Sequence, residues 1–289
     1  MFQLGSPNRG TYIDFTVLSQ DTIVIPNLSQ NMVEVTKIVI DSDGTPRLMP
    51  LCVFHLPPLT RGASLSTLYC HAEPNPTRPG PVAIPSTSDR PFHDKAEEAI
   101  IIFDTSYDHS SGRDWLTFIV HRRALLAHIP AAHRTCVPFC SAPDPIPTLV
   151  HVPWSTWGPA AMRWFEGERA GAATAWIMRT AGQRVVALEE VTPTPIIVRD
   201  FNPYAVRATR ALAAVSGQLQ QGNWSKQLPN GNRMTLNVED SVLNPGFIFE
   251  EDVRSSLPYV EIMTEREYHY TSAMIDEQRI LGLKVCFES

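Results

Sequence analysis

Short apolar runs recur along the whole chain and are separated by turn residues. Four early runs are rich in Val, Ile, Thr, Phe and Tyr, a composition typical of β-strands: 12–18, 22–25, 32–40 and 47–56. Asp43 and Gly44 separate the last two of these runs. An Asp-Gly pair favours the tight turn of a β-hairpin, because both positions tolerate positive φ. The pattern therefore predicts a hairpin at Asp43-Gly44.

The same two-strand pattern occurs three more times. The predicted strand pairs have their turns near residues 111, 181 and 276 and occupy 99–105 with 115–120, 174–180 with 183–188, and 267–275 with 279–287. A further strand is predicted at 195–201. So many hairpins, joined by long connections, predict an all-β protein.

One longer helix is predicted among these strands. Asn202 can cap its start, Pro203 suits its first position, and Gly217 can end it. The side that we expect to pack beside a sheet comprises Ala205, Ala208, Leu212 and Val215. Shorter helical turns are predicted at 122–129 and 159–165.

The composition is that of a folded protein with stiff loops. Of 289 residues, 43% are hydrophobic and 19% are charged, and 25 Pro stand against 15 Gly. Prolines cluster at 71–92 and 130–153, which predicts long Pro-rich loops. We expect one all-β domain over 1–289: an irregular, partial β-propeller-like arrangement of antiparallel sheets with one or two short helices. Its expected blade-like units are roughly 11–56, 97–129, 148–216 and 233–287, and a β-sandwich is the alternative.

Charge and hydropathy exclude some partners. The formal net charge of -6 gives no general attraction for phosphate backbones, so no nucleic acid is expected. No apolar run approaches the roughly 20 residues of a membrane-spanning helix, so no membrane is expected either. No apolar run follows residues 1–10 as in a secretory signal, and the five cysteines are scattered. We therefore expect a cytoplasmic or nuclear protein.

The candidates for metal binding and nucleophilic catalysis are weak. His133, Cys136, Cys140 and His151 are residue types that zinc accepts, but their spacing is not that of a usual zinc site. Cys136 or Cys140 beside His133 could form a thiolate pair, but no motif marks an activated cysteine. Packed thiols and exposed imidazoles are the favoured interpretation, so neither a metal nor a cofactor is predicted.

Carboxylates give no catalytic prediction. A glycosidase needs two of them across one pocket, and the candidates are Glu189, Glu190, Asp200 and the acidic run 250–252. Adjacent residues on a strand point to opposite faces, so Glu189 and Glu190 cannot both line one pocket. Glycine-rich phosphate-binding motifs are absent from the sequence. We predict no catalytic residues.

Two groups of residues are candidates for binding. Trp154 and Trp157 lie in a Pro- and Gly-containing connection, where large aromatic residues either hold a loop down or contact a partner. His121, Arg122 and Arg123 follow a predicted strand and could bind a carboxylate or phosphate. The alternative for this basic trio is a solvated strand end paired with local acids. Trp164 and Trp176 are expected in the core.

Several strings point to a known family. They include 152–159 (Val-Pro-Trp-Ser-Thr-Trp-Gly-Pro), 181–184 (Ala-Gly-Gln-Arg), 200–206 (Asp-Phe-Asn-Pro-Tyr-Ala-Val) and 248–259. Together they resemble the β-rich region of fungal F-box-like proteins over roughly 90–285, without the F-box itself. The resemblance implies the substrate-recognition part of an F-box-type ubiquitin ligase subunit. Contact with the cullin-ligase adaptor would require an F-box upstream.

The expected function is a non-catalytic protein-interaction module. Its partner would be a protein, bound through Trp154, Trp157 or the basic trio. The alternative is a glycan-binding protein or glycoside-acting enzyme on the same propeller-like architecture, with carboxylates that converge in a pocket.

Overall fold

The computed structural model describes residues 12–41, 43–76, 96–134, 148–166, 179–188, 193–216, 223–244 and 246–284. In chain order the strands are β1 (Thr16–Ser19), β2 (Thr22–Asn27), β3 (Met32–Ile40), β4 (Pro46–His55), β5 (Ser64–His71), β6 (Ile100–His109), β7 (Gly112–His121), β8 (Val150–Val152), β9 (Met162–Glu166), β10 (Thr180–Ala181), β11 (Arg184–Leu188), β12 (Thr194–Asp200), β13 (Trp224–Gln227), β14 (Arg233–Asn237), β15 (Ser241–Leu243), β16 (Val253–Ser255), β17 (Tyr259–Tyr268), β18 (Ser272–Ile275) and β19 (Ile280–Leu283). The helical segments are a 3-10 turn (Ala96–Glu98), α1 (Arg122–Leu126), α2 (Ala131–Arg134), α3 (Trp154–Ala161) and α4 (Pro203–Val215).

The strands form three larger sheets and two small ribbons. The N-terminal sheet has the order β1-β2-β3-β4-β8, the middle sheet β5-β6-β7-β9, and the C-terminal sheet β10-β11-β12-β17-β14-β13. Strand pairs in these sheets are antiparallel except β4 with β8. The ribbons are β15-β16 and β18-β19. The mostly β character predicted from the sequence is confirmed.

The middle sheet lies between the other two. One of its faces, with Phe103 and Phe118, packs in a large core against N-terminal-sheet residues such as Phe54. Its opposite face, with Ile102, packs in a second core against the C-terminal-sheet residue Tyr259. Alternate residues of a strand point to opposite faces, so β6 contributes to both cores and is buried over most of its length.

A buried ion pair joins the middle and C-terminal sheets. Asp104 on β6 accepts a hydrogen bond from the guanidinium of Arg179, next to β10, and both residues are more than nine-tenths buried. The hydroxyl of Thr117, opposite Asp104 on β7, donates to the second carboxylate oxygen at 2.8 Å. The charge of Asp104 is therefore compensated inside the interface.

The local turn predictions hold where the residues are described. Asp43-Gly44 lies in the connection between β3 and β4, so the predicted hairpin is confirmed, but the connection is longer than a two-residue turn. Of these two residues Gly44 alone has a positive φ, of +81°, which glycine adopts at little cost. The turns predicted near residues 111 and 276 join β6 to β7 and β18 to β19. Most of the predicted strand 174–180 lies outside the described residues.

The assembly of the strands differs from the predicted units. The segment 148–216, predicted as one blade, supplies β8 to the N-terminal sheet, β9 to the middle sheet, and β10 to β12 to the C-terminal sheet. The described residues form stacked open sheets without a closed barrel or propeller. They also contain more helical segments than the one or two predicted, because short turns such as α3 connect strands of different sheets.

Helix α4 forms where predicted but faces the other way. Its cap is confirmed, since the Asn202 side chain accepts a hydrogen bond from the backbone N–H of Tyr204 at 2.8 Å. The residues that pack on the C-terminal sheet are Val206, Thr209 and Ala213, not the predicted stripe of Ala205, Ala208, Leu212 and Val215. The helix is apolar on two sides, and the side with the smaller residues packs in one cluster with Trp224 and Leu236 of the sheet.

Candidate functional site

The basic trio predicted to bind anions is largely buried. Arg122 is fully buried, and its guanidinium donates to the carbonyl oxygens of Ala72, Pro74 and Ala96. Burial lowers the pKa of this guanidinium to about 10, although nearby Glu73 favours the charged form. Arg122 therefore holds two stretches of main chain together and does not reach an external anion.

The neighbours of Arg122 lie in opposite environments. His121 is buried, and its Nδ1 lies 3.2 Å from the carbonyl oxygen of Glu98; burial lowers its pKa. Arg123 is exposed. This arrangement differs from both interpretations of the sequence, because the strand end continues directly into α1 and α1 packs against the core.

The tryptophans of the connection pack inward. Trp157 is 3% exposed, and its indole N–H donates to the carbonyl oxygen of His55 at 3.0 Å. Trp154 is partly buried and meets the rings of Trp157 and Trp164 edge to face, at centroid distances of 6.0 and 6.3 Å. Trp164 is buried as expected, and Trp176 lies outside the described residues. Trp154 and Trp157 thus hold α3 on the core and have little exposed area for a partner.

The residues proposed for zinc or a nucleophile are not brought together where they can be described. Cys136 and Cys140 lie outside the described residues. The carbonyl of His133 accepts a hydrogen bond from Lys37, whereas His151 pairs with His55. In the described part of the chain, no three His, Cys, Asp or Glu side chains are grouped to hold a metal ion.

Of the carboxylates named for glycoside chemistry, those that the structure describes have different surroundings. Glu189 and Glu190 are outside the described ranges. Asp200 accepts a hydrogen bond from the backbone N–H of Asn202 at the start of α4, and the acidic run 250–252 is exposed near Pro58. Neither of these described contacts pairs two carboxylates across one pocket, as this chemistry needs.

A polar cleft lies where the N-terminal and middle sheets approach β10. It encloses about 230 Å³ and is lined by Asp14, Phe15, Thr16, Val17, Cys70, His71, Ala72, Glu73, Asn75 and Thr180. Asp14 accepts hydrogen bonds from the backbone N–H groups of Phe15 and Cys70. Burial and the adjacent Asp14 raise the pKa of the Cys70 thiol, so the cleft offers no activated nucleophile.

Two buried polar atoms at the edge of this cleft are unpaired. His71 Nε2 and Thr180 Oγ1 have no hydrogen-bond partner among the described residues. Phe15, by contrast, is 61% exposed at the mouth. Sequence patterns do not indicate this cleft, because its residues come from three distant segments.

The outer face of α4 is an exposed apolar stripe. It comprises Tyr204, Ala208, Ala211, Leu212 and Val215, which recur at helical spacing on the side away from the sheet. Tyr204 is 69%, Leu212 54% and Val215 90% exposed. We call this set the α4 stripe. It is the largest continuous set of exposed apolar side chains on the described helices.

Positive charge borders the α4 stripe on one side. At 100° per residue, Arg207 and Arg210 project along the same flank, and α4 contains no acidic residue. The guanidinium of Arg207 lies over the ring of Tyr204, 4.5 Å from its centroid. The stripe thus combines apolar area with a local positive edge on a chain of net negative charge.

Comparison with known proteins adds no family. No protein-family model, no curated protein and no solved structure matches the chain. Within the described ranges, no helix has the length and apolar character needed to cross a membrane.

Proposed function

We propose that this chain is a non-catalytic protein-interaction module whose docking surface is the α4 stripe. The observation that carries the proposal is the exposure of Tyr204, Leu212 and Val215 on one side of one helix. Single exposed apolar residues are ordinary, whereas a contiguous stripe on a rigid element favours an interface. The opposite side of the helix packs on the C-terminal sheet through Val206, Thr209 and Ala213, which holds the stripe in place.

The partner that fits this surface is an amphipathic helix with acidic residues along one side. A helix of 13 residues is about 20 Å long and accommodates three to four turns of a partner helix. Apolar partner residues would cover Leu212 and Val215. Carboxylates on one flank would lie beside Arg207 and Arg210, which supply orientation and a salt-dependent on-rate.

Two designed peptides test this proposal. Both carry the same leucine stripe, and one has glutamates and the other lysines along the flank; binding to the intact protein is followed by fluorescence anisotropy. The glutamate peptide is expected to bind more tightly, and added salt is expected to weaken it. R207E/R210E should reverse the preference, and L212D/V215D should abolish binding.

Matched controls separate docking from misfolding. Val242 is an exposed apolar residue on β15, so V242D is expected to leave peptide binding unchanged. All these positions are exposed, so circular dichroism should remain that of the wild type. Binding that survives L212D/V215D would contradict the proposal. A dimer seen by sedimentation and lost in L212D/V215D would show that a second copy occupies the stripe.

A narrower form of the proposal concerns ubiquitin ligation. The resemblance to F-box-like proteins over roughly 90–285 supports a role in substrate recognition, and the string 200–206 of that resemblance begins α4. In this narrower form of the proposal, the stacked open sheets act as blade-like units that support α4. Purification of the native gene product with a cullin-ligase adaptor bound would support this form, and its recovery without the adaptor would count against it.

The polar cleft supports a second candidate, glycan binding. Phe15 offers an exposed ring on which a sugar face can stack, and Asp14, Glu73 and Asn75 offer groups that bind hydroxyls. Titration with a panel of methyl glycosides tests it. F15A and N75A should each remove binding, whereas L212D/V215D should not, and the absence of any bound glycoside would eliminate this candidate.

A further inference from the structure

Two histidines from neighbouring strands meet at the edge of the N-terminal sheet. His55 is the last residue of β4 and His151 is the middle residue of β8, and the parallel register places Val53 opposite His151. His55 is partly buried and His151 is exposed. The imidazole rings are stacked at a centroid distance of 5.5 Å with an interplanar angle of 25°.

The two nearest ring nitrogens have the separation of a pair of metal ligands. Nε2 of His55 lies 3.2 Å from Nδ1 of His151. Two nitrogens bound at about 2.0 to 2.1 Å to one tetrahedral zinc ion lie about 3.3 to 3.4 Å apart. In a square-planar copper site, adjacent nitrogens lie about 2.9 Å apart. The observed distance falls between these values.

The main chain on one side of this pair is held firmly. The carbonyl oxygen of His55 accepts the indole N–H of Trp157. The preceding residue, Phe54, packs edge to face against the rings of His128 and Trp157. Side chains on a fixed backbone lose less conformational freedom when they bind a ligand, so this pair is pre-organised.

The hydrogen bond between these two nitrogens holds one proton between the rings. A divalent ion can replace the proton that the two nitrogens otherwise share in a hydrogen bond, and neutral imidazole is the form that binds a metal.

We propose that His55 and His151 together bind one divalent transition-metal ion, of the class that imidazole prefers, Zn²⁺ or Cu²⁺. No third His, Cys, Asp or Glu side chain joins them within the described residues. We assign water to the remaining coordination positions. The bound ion links β8 to β4 and so fixes the strand that leads into α3 and the buried Trp157.

Copper is the most informative probe. Cu²⁺ binds nitrogen ligands more strongly than the other ions of this class, and its electron paramagnetic resonance spectrum shows how many nitrogens are bound. Cu²⁺ added to the intact protein is expected to give one bound ion per chain, with hyperfine splitting from two nitrogens. Zn²⁺ should compete for the same site and raise the melting temperature. His55→Asn and His151→Asn should each weaken Cu²⁺ binding by at least about tenfold.

Two controls distinguish this site from other metal binding. His269 is exposed, so H269N should bind Cu²⁺ as the wild type does. C136S/C140S should also retain binding, and loss of the ion in that variant would overturn the assignment to His55 and His151. A Cu²⁺ spectrum that shows one bound nitrogen or none would also overturn the assignment. So would an H151N variant whose affinity for Cu²⁺ is unchanged. Melting curves without metal establish that each variant is folded.

Discussion

At the scale of single residues, a basic side chain is used to organise the main chain. The sequence showed that Arg122 and Arg123 lie at a strand end, but not which of them enters the core. Burial depends on how α1 docks, and that depends on segments about 50 residues earlier in the chain, since Arg122 binds the carbonyls of Ala72 and Pro74. The anion-binding hypothesis failed for Arg122 because sequence adjacency does not reveal burial.

Replacement of Arg122 tests this structural role. R122M keeps the length of the side chain but leaves the carbonyls of Ala72, Pro74 and Ala96 without their donor, so we expect a loss of about 3 to 5 kcal/mol in the free energy of unfolding. Urea unfolding measures it. The matched control is R123M, at an exposed neighbour, which should change the value by less than about 0.5 kcal/mol. Equal effects of the two substitutions would contradict the assignment.

Buried histidine predicts a definite pH dependence. The pKa of His121 in the folded protein is lowered, so the unfolded state binds a proton more readily once the pH falls below the ordinary value of about 6.5. Stability is therefore retained at neutral pH and lost as the pH falls from about 6.5 through the folded-state pKa. His55 acts in the same direction. Carboxylates whose pKa is lowered, such as Asp108 with a pKa of about 2, stop stabilising the folded protein only at more acidic pH.

Melting temperatures at about pH 7.5 and 5.5 check this dependence. The wild type is expected to melt at a lower temperature at the lower pH. H121Q cannot take up the proton, so its melting temperature should change less between the two conditions, even if both values are lower. A wild type that is more stable at pH 5.5 would show that the sign is wrong.

At the scale of elements, the sequence predicted where α4 starts but not which side of the helix packs on the sheet. Asn202 and Pro203 are local cues, and α4 begins where they place it. Its inner face could not be read in the same way, because an alanine-rich helix has apolar residues on both sides. The choice is made by Trp224 and Leu236, which come from strands that follow α4 in the chain. The error is informative, since three of the four residues predicted to pack, Ala208, Leu212 and Val215, belong to the exposed α4 stripe.

Helix α3 depends on a glycine for its packing. A Cβ atom at Gly158 would overlap the ring of Trp154, one turn earlier. G158A should therefore displace this ring and destabilise the protein by about 1 to 3 kcal/mol, despite the higher helix propensity of alanine. Thermal unfolding measures the loss. At Gly246 a Cβ would meet nothing within 4 Å, so G246A is the control and should be nearly neutral. A neutral G158A would show that Trp154 does not pack as described.

At the scale of the whole molecule, the all-β class followed from the hairpins, whereas the stacking did not. Hairpin partners are close in sequence, so turn residues such as Asp43 and Gly44 indicate them. The pairing of β4 with β8, and of β7 with β9, joins distant segments and has no comparable local cue. The predicted blades therefore mixed strands that belong to different sheets.

The ion pair between the middle and C-terminal sheets tests their stacking. D104N removes the negative charge that faces the buried guanidinium of Arg179, and we expect a loss of about 3 to 5 kcal/mol in the free energy of unfolding. Because the apolar double variant D104L/R179M removes both charges, it should lose less than D104N alone. Chemical denaturation of the wild type, D104N, D104L, R179M and the double variant gives this comparison. A double variant as unstable as the sum of its single variants would show that the two charges do not interact.

The function proposed for the whole molecule requires that α4 itself contact the partner. The most direct measurement places a photoreactive benzophenone amino acid at position 212, and in a second protein at position 242, and irradiates each with the glutamate-flanked peptide. We predict that position 212 cross-links to the apolar stripe of the peptide and that position 242 does not. Equal cross-linking at both positions, or bound peptide that does not cross-link at position 212, would contradict a docking surface on α4.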